Sequence, residues 1–237
     1  MMYSKETIVK YANKVRLESL ALDQINYQEL HVIISRGNKK IGRVLNVSLL
    51  PIFDCGNCKQ CSRYCYDIKA CMMYKNVMHA RAVNSYIYHS DPEKYFQDIK
   101  NALNTWRGDK YFRYQVAGDI PDRIYLEKMI ETAIEYPDWT FWTYTKMYHI
   151  VNAWIDENGG TKDALPENLK IMFSPWIGTK MENPYNMPVF AVRMKDGNND
   201  YTEEQFSNMF KCPGNCDVCK ACKRGCIAGE NTYNDEH

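Results

Sequence analysis

Two stretches of this chain carry the same thiol spacing, and any fold must accommodate both. "CGNCKQCSRYC" runs from Cys55 to Cys65 and "CDVCKACKRGC" from Cys216 to Cys226. Each reads Cys-x2-Cys-x2-Cys-x3-Cys, and about 150 residues separate them. This is the bacterial ferredoxin spacing for a [4Fe–4S] cluster; its short gaps let a tight loop aim successive thiolates at neighbouring corners of a cube. Zinc sites normally use two Cys-x2-Cys pairs on separate knuckles, with no need for a third cysteine two residues later. The spacing therefore implies two [4Fe–4S] sites. Cys55, Cys58, Cys61 and Cys65 form the first candidate ligand set, and Cys216, Cys219, Cys222 and Cys226 the second. Two of the ten cysteines are left over. Cys71, beside Met72 and Met73, reads as a buried structural thiol. Cys212 stands in an overlapping Cys212-x3-Cys216-x2-Cys219 run and joins the candidate metal ligands.

So many thiols raise the question of compartment. The opening "MMYSKETIVKYANK" lacks the apolar stretch of a secretory signal, and no apolar run approaches the roughly 20 residues of a membrane span. The expectation is a cytoplasmic protein without membrane partners, whose cysteines bind metal rather than form disulfides. Lys plus Arg total 30 against 29 Asp plus Glu, which gives no global field for drawing in nucleic acid. Lys220, Lys223 and Arg224 among the tail thiols read as solubilising charge. Their other role, contact with a phosphate backbone, keeps nucleic acid among the candidate partners.

Residues 4–22 read as an irregular N-terminal helix, and Leu30–Ser35 and Arg43–Leu50 as strands joined at Gly37-Asn38. A helix with Met73, Val77, Ala80 and Ile87 on one face follows the first thiols. Asp91-Pro92-Glu93 opens another, burying Phe96, Ile99 and Leu103. Strands at Tyr111–Asp119, Trp139–Lys146, Leu169–Trp176 and Pro188–Met194 then alternate with helices. One helix is capped by Asp122, one ends at Gly159-Gly160, and a short one opens in the Thr202-x-x-Gln205 capping box. Strands spaced by such helices imply βαβ units with parallel pairing. The expected class is α/β: a partial (β/α) barrel-like, mostly parallel curved sheet of five or six strands. A full eight-stranded barrel typically needs about 250 residues. The chain divides into an N-terminal helix and strand (1–34), a partial barrel carrying the loop 55–65 (35–210), and a Cys-rich tail (211–237).

Functional groups of parallel sheets gather where strands end at their carboxyl side. Here those ends carry Asp54 and the first thiols, Gly118-Asp119, Thr145-Lys146, Ser174-Pro175-Trp176 and Arg193. Each residue taken singly is as readily a cap or a loop end. Taken together they form a candidate rim for a small polar ligand, lined by Gly118, Thr145 and Ser174. Asp119 would accept hydrogen bonds from an ammonium, Lys146 would pair with a carboxylate, and Trp176 offers a flat face to an adenine. Asp119 and Lys146 are the candidate catalytic groups. His31, His79, His89 and His149 fall in no motif and read as structural.

"RGNKKIGRVLNVSLLP", the first thiol loop, "FRYQVAGDIPD", "FWTYTK", "LPENLKIMFSPW" and the terminal "CPGNC" occur in an order that resembles the phage and prophage family called gene product 88, over roughly residues 35–226. The layout is also similar to a shortened radical S-adenosylmethionine (SAM) barrel, with a cluster loop after the first strand. In that superfamily a Gly-rich turn ending the second strand holds the SAM amino group, and Gly118-Asp119 occupies that place. Two departures stand against it. The first loop reads Cys58-x2-Cys61-x3-Cys65, the reverse of the superfamily's x3-then-x2 order, with Cys55 able to fill the iron that SAM needs; and the double glycine and glutamate usual after the second strand are missing. The superfamily's own order occurs at Cys212–Cys219 instead. This resemblance implies SAM as a second cofactor, a small-molecule substrate, and an electron donor such as flavodoxin or ferredoxin. The tail cluster would be auxiliary and, for a phage-encoded chain, the compartment would be the host cytoplasm. A non-catalytic iron–sulfur protein, relaying electrons or using clusters as staples, is one alternative. A zinc-stapled module binding nucleic acid or protein is another. In two-cluster ferredoxins the fourth cysteine of each motif ligates the other cluster, so the partners of Cys65 and Cys226 stay open.

Overall fold

The structure, a computed structural model, describes residues 3–56, 61–176 and 179–236, so Cys58 lies outside the described residues. The chain divides into two compact units. Met1–Ile34, Val47–Trp106 and Gln115–Pro121 form the first; Ser35–Asn46, Arg107–Tyr114 and Asp122–His237 form the second.

The first unit is mainly helical. Helix α1 (Lys5–Leu22) starts where the Ser4 side chain accepts the Thr7 N–H, and it buries Tyr11, Val15 and Leu22. The helix expected after the first thiols is two, α2 (Tyr66–Met73) and α3 (Lys75–Ser90), because extended backbone at Tyr74 (φ −119°) resets the direction. The buried face shifts accordingly to Met78, Ala82, Val83 and Ile87, while Met73 is exposed. Helix α4 (Pro92–Thr105) opens on the Asp91 cap with Pro92 in its first turn, and buries Phe96, Ile99 and Leu103 as its periodicity implies.

No strand forms at 30–34, contrary to the sequence expectation. The Ile33 N–H and C=O both bond the Asn84 side-chain amide, and the Val32 N–H bonds the Asp98 carboxylate. Side chains on α3 and α4 thus take backbone groups that a neighbouring strand would have paired.

The second unit holds parallel strands β1 (Leu45–Asn46), β2 (Tyr111–Arg113), β3 (Thr140–Thr145) and β4 (Leu169–Phe173), in that order across one sheet. Helix α5 (Arg123–Glu135), capped by Asp122, and helix α6 (Tyr148–Glu157) are the intervening crossovers. β3 and β4 present nearly continuous buried runs, as a sheet covered on both faces requires.

β5 (Phe190–Arg193) does not extend this sheet. It pairs with β7 (Thr232–Asp235), which also pairs with β6 (Phe210–Lys211), making a second parallel sheet of order β5-β7-β6. Short helices α7 (Glu203–Ser207) and α8 (Cys216–Cys222) complete this part. The fold is therefore α/β with parallel sheets of four and three strands, and neither closes into a barrel. Among the described residues no helix is long and apolar enough to cross a membrane.

Candidate metal centres

The first thiol loop leaves the chain at a polar anchor. Asp54, 2% exposed, accepts the Leu50 N–H (2.9 Å) and the Ser85 hydroxyl (2.5 Å) on Oδ2. Its Oδ1 lies 2.5 Å from Nε2 of His89, and its carbonyl accepts the Asp119 N–H at 2.9 Å. Cys55 follows directly. Cys61 opens a single 3-10 turn (Cys61–Tyr64), and Cys65 caps α2. Burial pushes the Cys65 thiol up to about 11, against the pull of the Ile68 and Asp67 N–H groups, with Cys61 adding to the rise. Tyr11 is raised mainly by its own burial, and Cys71, Cys65 and Cys55 are among the groups acting on it.

Cys71 is fully buried and points its sulfur at Asp67 Oδ2 (3.6 Å), a carboxylate that Arg81 holds through two bonds of 3.2 Å. Burial, then Asp67, push it up to about 12.

The predicted rim residues fall in both units. In the first, Gly118 has φ +83°, and a Cβ there would stand 2.8 Å from the Leu49 Cβ, so the position requires glycine for its own packing. The Asp119 side chain accepts the Ile120 N–H at 2.7 Å. In the second, Thr145 Oγ1 accepts the Met147 N–H, and Lys146 donates to Ser174 Oγ at 3.2 Å. The Lys146 ammonium also lies 5.6 Å from the Trp176 ring centre. A cavity beside Trp176, lined also by Pro175, Ala191 and Tyr201, is about 10 Å³, the size of one water.

The tail thiols gather in the second unit. Cys219 and Cys226 share an apolar cluster with Val44, Trp142, Met172 and Ile227, against which Cys216 and Tyr144 pack. The Cys216 N–H bonds the Lys40 carbonyl, and the Cys212 N–H bonds the Tyr233 carbonyl, which pins both to the fold. Gly225, at φ +72°, lets the turn after α8 approach the Phe210 ring, which a Cβ would meet at 2.8 Å. Cys219 is pushed up to about 12 by burial, then by Cys216, Cys212, Cys226 and Cys222. Burial raises Cys226 to about 11 against a hydrogen bond from Tyr144; Cys212 raises it further, while Thr232 and Arg113 pull it down. Burial also raises Cys216, and Arg113 and Lys220 oppose that rise. Arg113, Tyr144 and Thr232 belong to no motif. The available signal was an Arg and a Tyr on neighbouring buried strands, 4.7 Å apart as a cation–π pair.

Among the described residues no three His, Cys, Asp or Glu side chains converge on one ion. A single zinc draws its sulfurs to about 2.3 Å from one point, whereas a cubane gives each of four thiolates its own iron. In the tail, Arg113 and Lys220 set positive charge against the partly buried Cys216 thiol.

Thiol-rich loops on an α/β scaffold of parallel sheets define the class of protein. The family model described as Gene product 88 matches residues 32–176, more than half of the chain, and the chain belongs to that family. No curated protein and no solved structure matches. The matched residues include the first thiol set and the rim positions from Gly118 to Trp176; Arg193 and the tail thiols lie beyond them.

Proposed function

We propose that this chain is an iron–sulfur protein with two [4Fe–4S] sites, the first serving radical-SAM-like chemistry. The observation that carries the iron–sulfur part is the gathering of tail thiols in and against one apolar cluster. Burial that holds a thiol protonated is overcome when a metal takes the thiolate, so metal binding would release protons and stabilise the fold. When bound and reduced, such a cluster supplies an electron to its ligand. In the first unit Gly118 and Asp119, the latter donating its backbone N–H to the carbonyl of Asp54 beside Cys55, are the candidate contact for a SAM ammonium. Within the second unit, taken by itself, Lys146 beside Ser174 and Trp176 remains a candidate contact for an anionic group. The setting is a reducing cytoplasm, that of the host for a phage protein, with flavodoxin or ferredoxin as donor.

A non-catalytic reading has its own support: Gly118 is required by Leu49, and Lys146 already bonds Ser174. The experiment is titration of the reduced protein with SAM, following the cluster's EPR signal and the formation of 5′-deoxyadenosine. A signal shift that disappears in Asp119→Ala supports the catalytic reading. An unmoved signal at millimolar SAM with no nucleoside leaves electron transfer or stapling as the role.

A further inference from the structure

The spacing motif assigns Cys216, Cys219, Cys222 and Cys226 to the tail site, but the local fold distributes the thiols differently. Cys216–Cys222 is a helix, not the open loop of a ferredoxin motif. At about 100° per residue, Cys219 lags Cys216 by roughly 60° around the helix and Cys222 lags it by roughly 120°. Cys219 thus stands midway between the other two; Cys216 packs with it against the apolar cluster, and on the other side is Cys222. Its sulfur turns back to its own helix, 3.6 Å from the Cys219 carbonyl oxygen, and the residue is exposed. Cys212 behaves in the opposite way. Its N–H bonds the Tyr233 carbonyl and so continues the β6–β7 pairing, and it stands two residues after Phe210, which packs against the cluster holding Cys216, Cys219 and Cys226, so strand alternation puts Cys212 on that same side.

We propose that Cys212, Cys216, Cys219 and Cys226 are the four ligands of the tail site, with Cys222 a solvent-facing thiol outside it. This rests on the metal-binding reading above and deepens it. It also commits Cys226 to its own motif's site rather than to an exchange with Cys65. The Tyr144 and Thr232 hydroxyls and the Arg113 guanidinium, which all act on Cys226, would then surround one corner of the site.

The test maps thiols in anaerobically purified, metal-loaded wild type by brief alkylation with iodoacetamide and peptide mass spectrometry, alongside metal content. Cys222 should be modified while Cys212 stays protected, and chelation should expose Cys212. Cys222→Ala should retain the full iron content, and Cys212→Ala should lose about half of it, one cubane of two. If Cys212→Ala does not fold, the labelling pattern in wild type still decides. Metal-loaded protein with Cys212 labelled and Cys222 protected overturns this ligand set and leaves the iron–sulfur reading standing. Protein that binds no metal defeats both.

Discussion

The anchor below Cys55 can be tested by a double-mutant cycle between Asp54 and Ser85. Ser85→Ala removes a hydroxyl that donates to Asp54 Oδ2 at 2.5 Å and accepts the Leu50 N–H at 2.8 Å. Asp54 is 2% exposed, Ser85 4% and Leu50 5%, so water replaces neither bond. A hydrogen bond to a charged group contributes about 1.5–3 kcal/mol, and an orphaned buried group costs about 1–3 kcal/mol. Ser85→Ala is expected to cost about 1.5–3 kcal/mol and Asp54→Ala about 2–4 kcal/mol, with the Leu50 N–H keeping one of its two acceptors in either single variant. The contact of Asp54 with half-exposed His89 adds little. The double variant loses the Ser85–Asp54 bond only once, an effect partly offset because the Leu50 N–H then loses both acceptors, so its cost should fall below the sum of the singles by about 0.5–1 kcal/mol. Urea unfolding of anaerobic protein reads the cycle, with amide exchange at Leu50 as a local second measure. A coupling within about 0.3 kcal/mol of zero would refute the reasoning.

Gly118→Ala should lower stability by about 2–4 kcal/mol, from left-handed backbone and contact with Leu49, whether or not SAM is present. An unchanged urea midpoint with a lost SAM response would instead make Gly118 a ligand-binding position. Cys71→Ala should leave iron content unchanged and alter the alkaline behaviour. The Cys71 thiol rises from 9.0 to about 12 in the fold, so its contribution is full below pH 9 and is lost as pH rises towards 12. Wild-type stability should therefore fall about 1.4 kcal/mol per pH unit more steeply than the variant's in that window; parallel curves would contradict this. Tyr144→Phe should keep the tail cluster but lower its reduction potential by up to about 40 mV, because a bond worth about 1 kcal/mol to the Cys226 sulfur favours the reduced state. A redox titration showing no change or a rise would count against that bond.

Helix starts were the most legible part of the chain. Asp91-Pro92, Asp122 and Thr202 each cap the helix that their local chemistry implies. The four parallel strands of the first sheet also follow from alternation with helices. What local patterns missed was competition from distant groups. "LHVIIS" has the composition of a strand, but Asn84 and Asp98 take its backbone bonds from more than fifty residues away. β5 pairs with β7, whose four residues carry no strand-like run. The thiols were found by spacing, yet spacing treated Cys222 as equivalent to its neighbours, and its exposure and its turn back to the Cys219 carbonyl set it apart. His89 meets Asp54 across 35 positions, which no motif could indicate.

Metal analysis of anaerobically purified protein tests the central claim most directly. Two cubanes predict brown protein with broad absorption near 400 nm and about eight iron and eight sulfide per chain. Colourless protein carrying stoichiometric zinc, or no metal at all, would contradict the account.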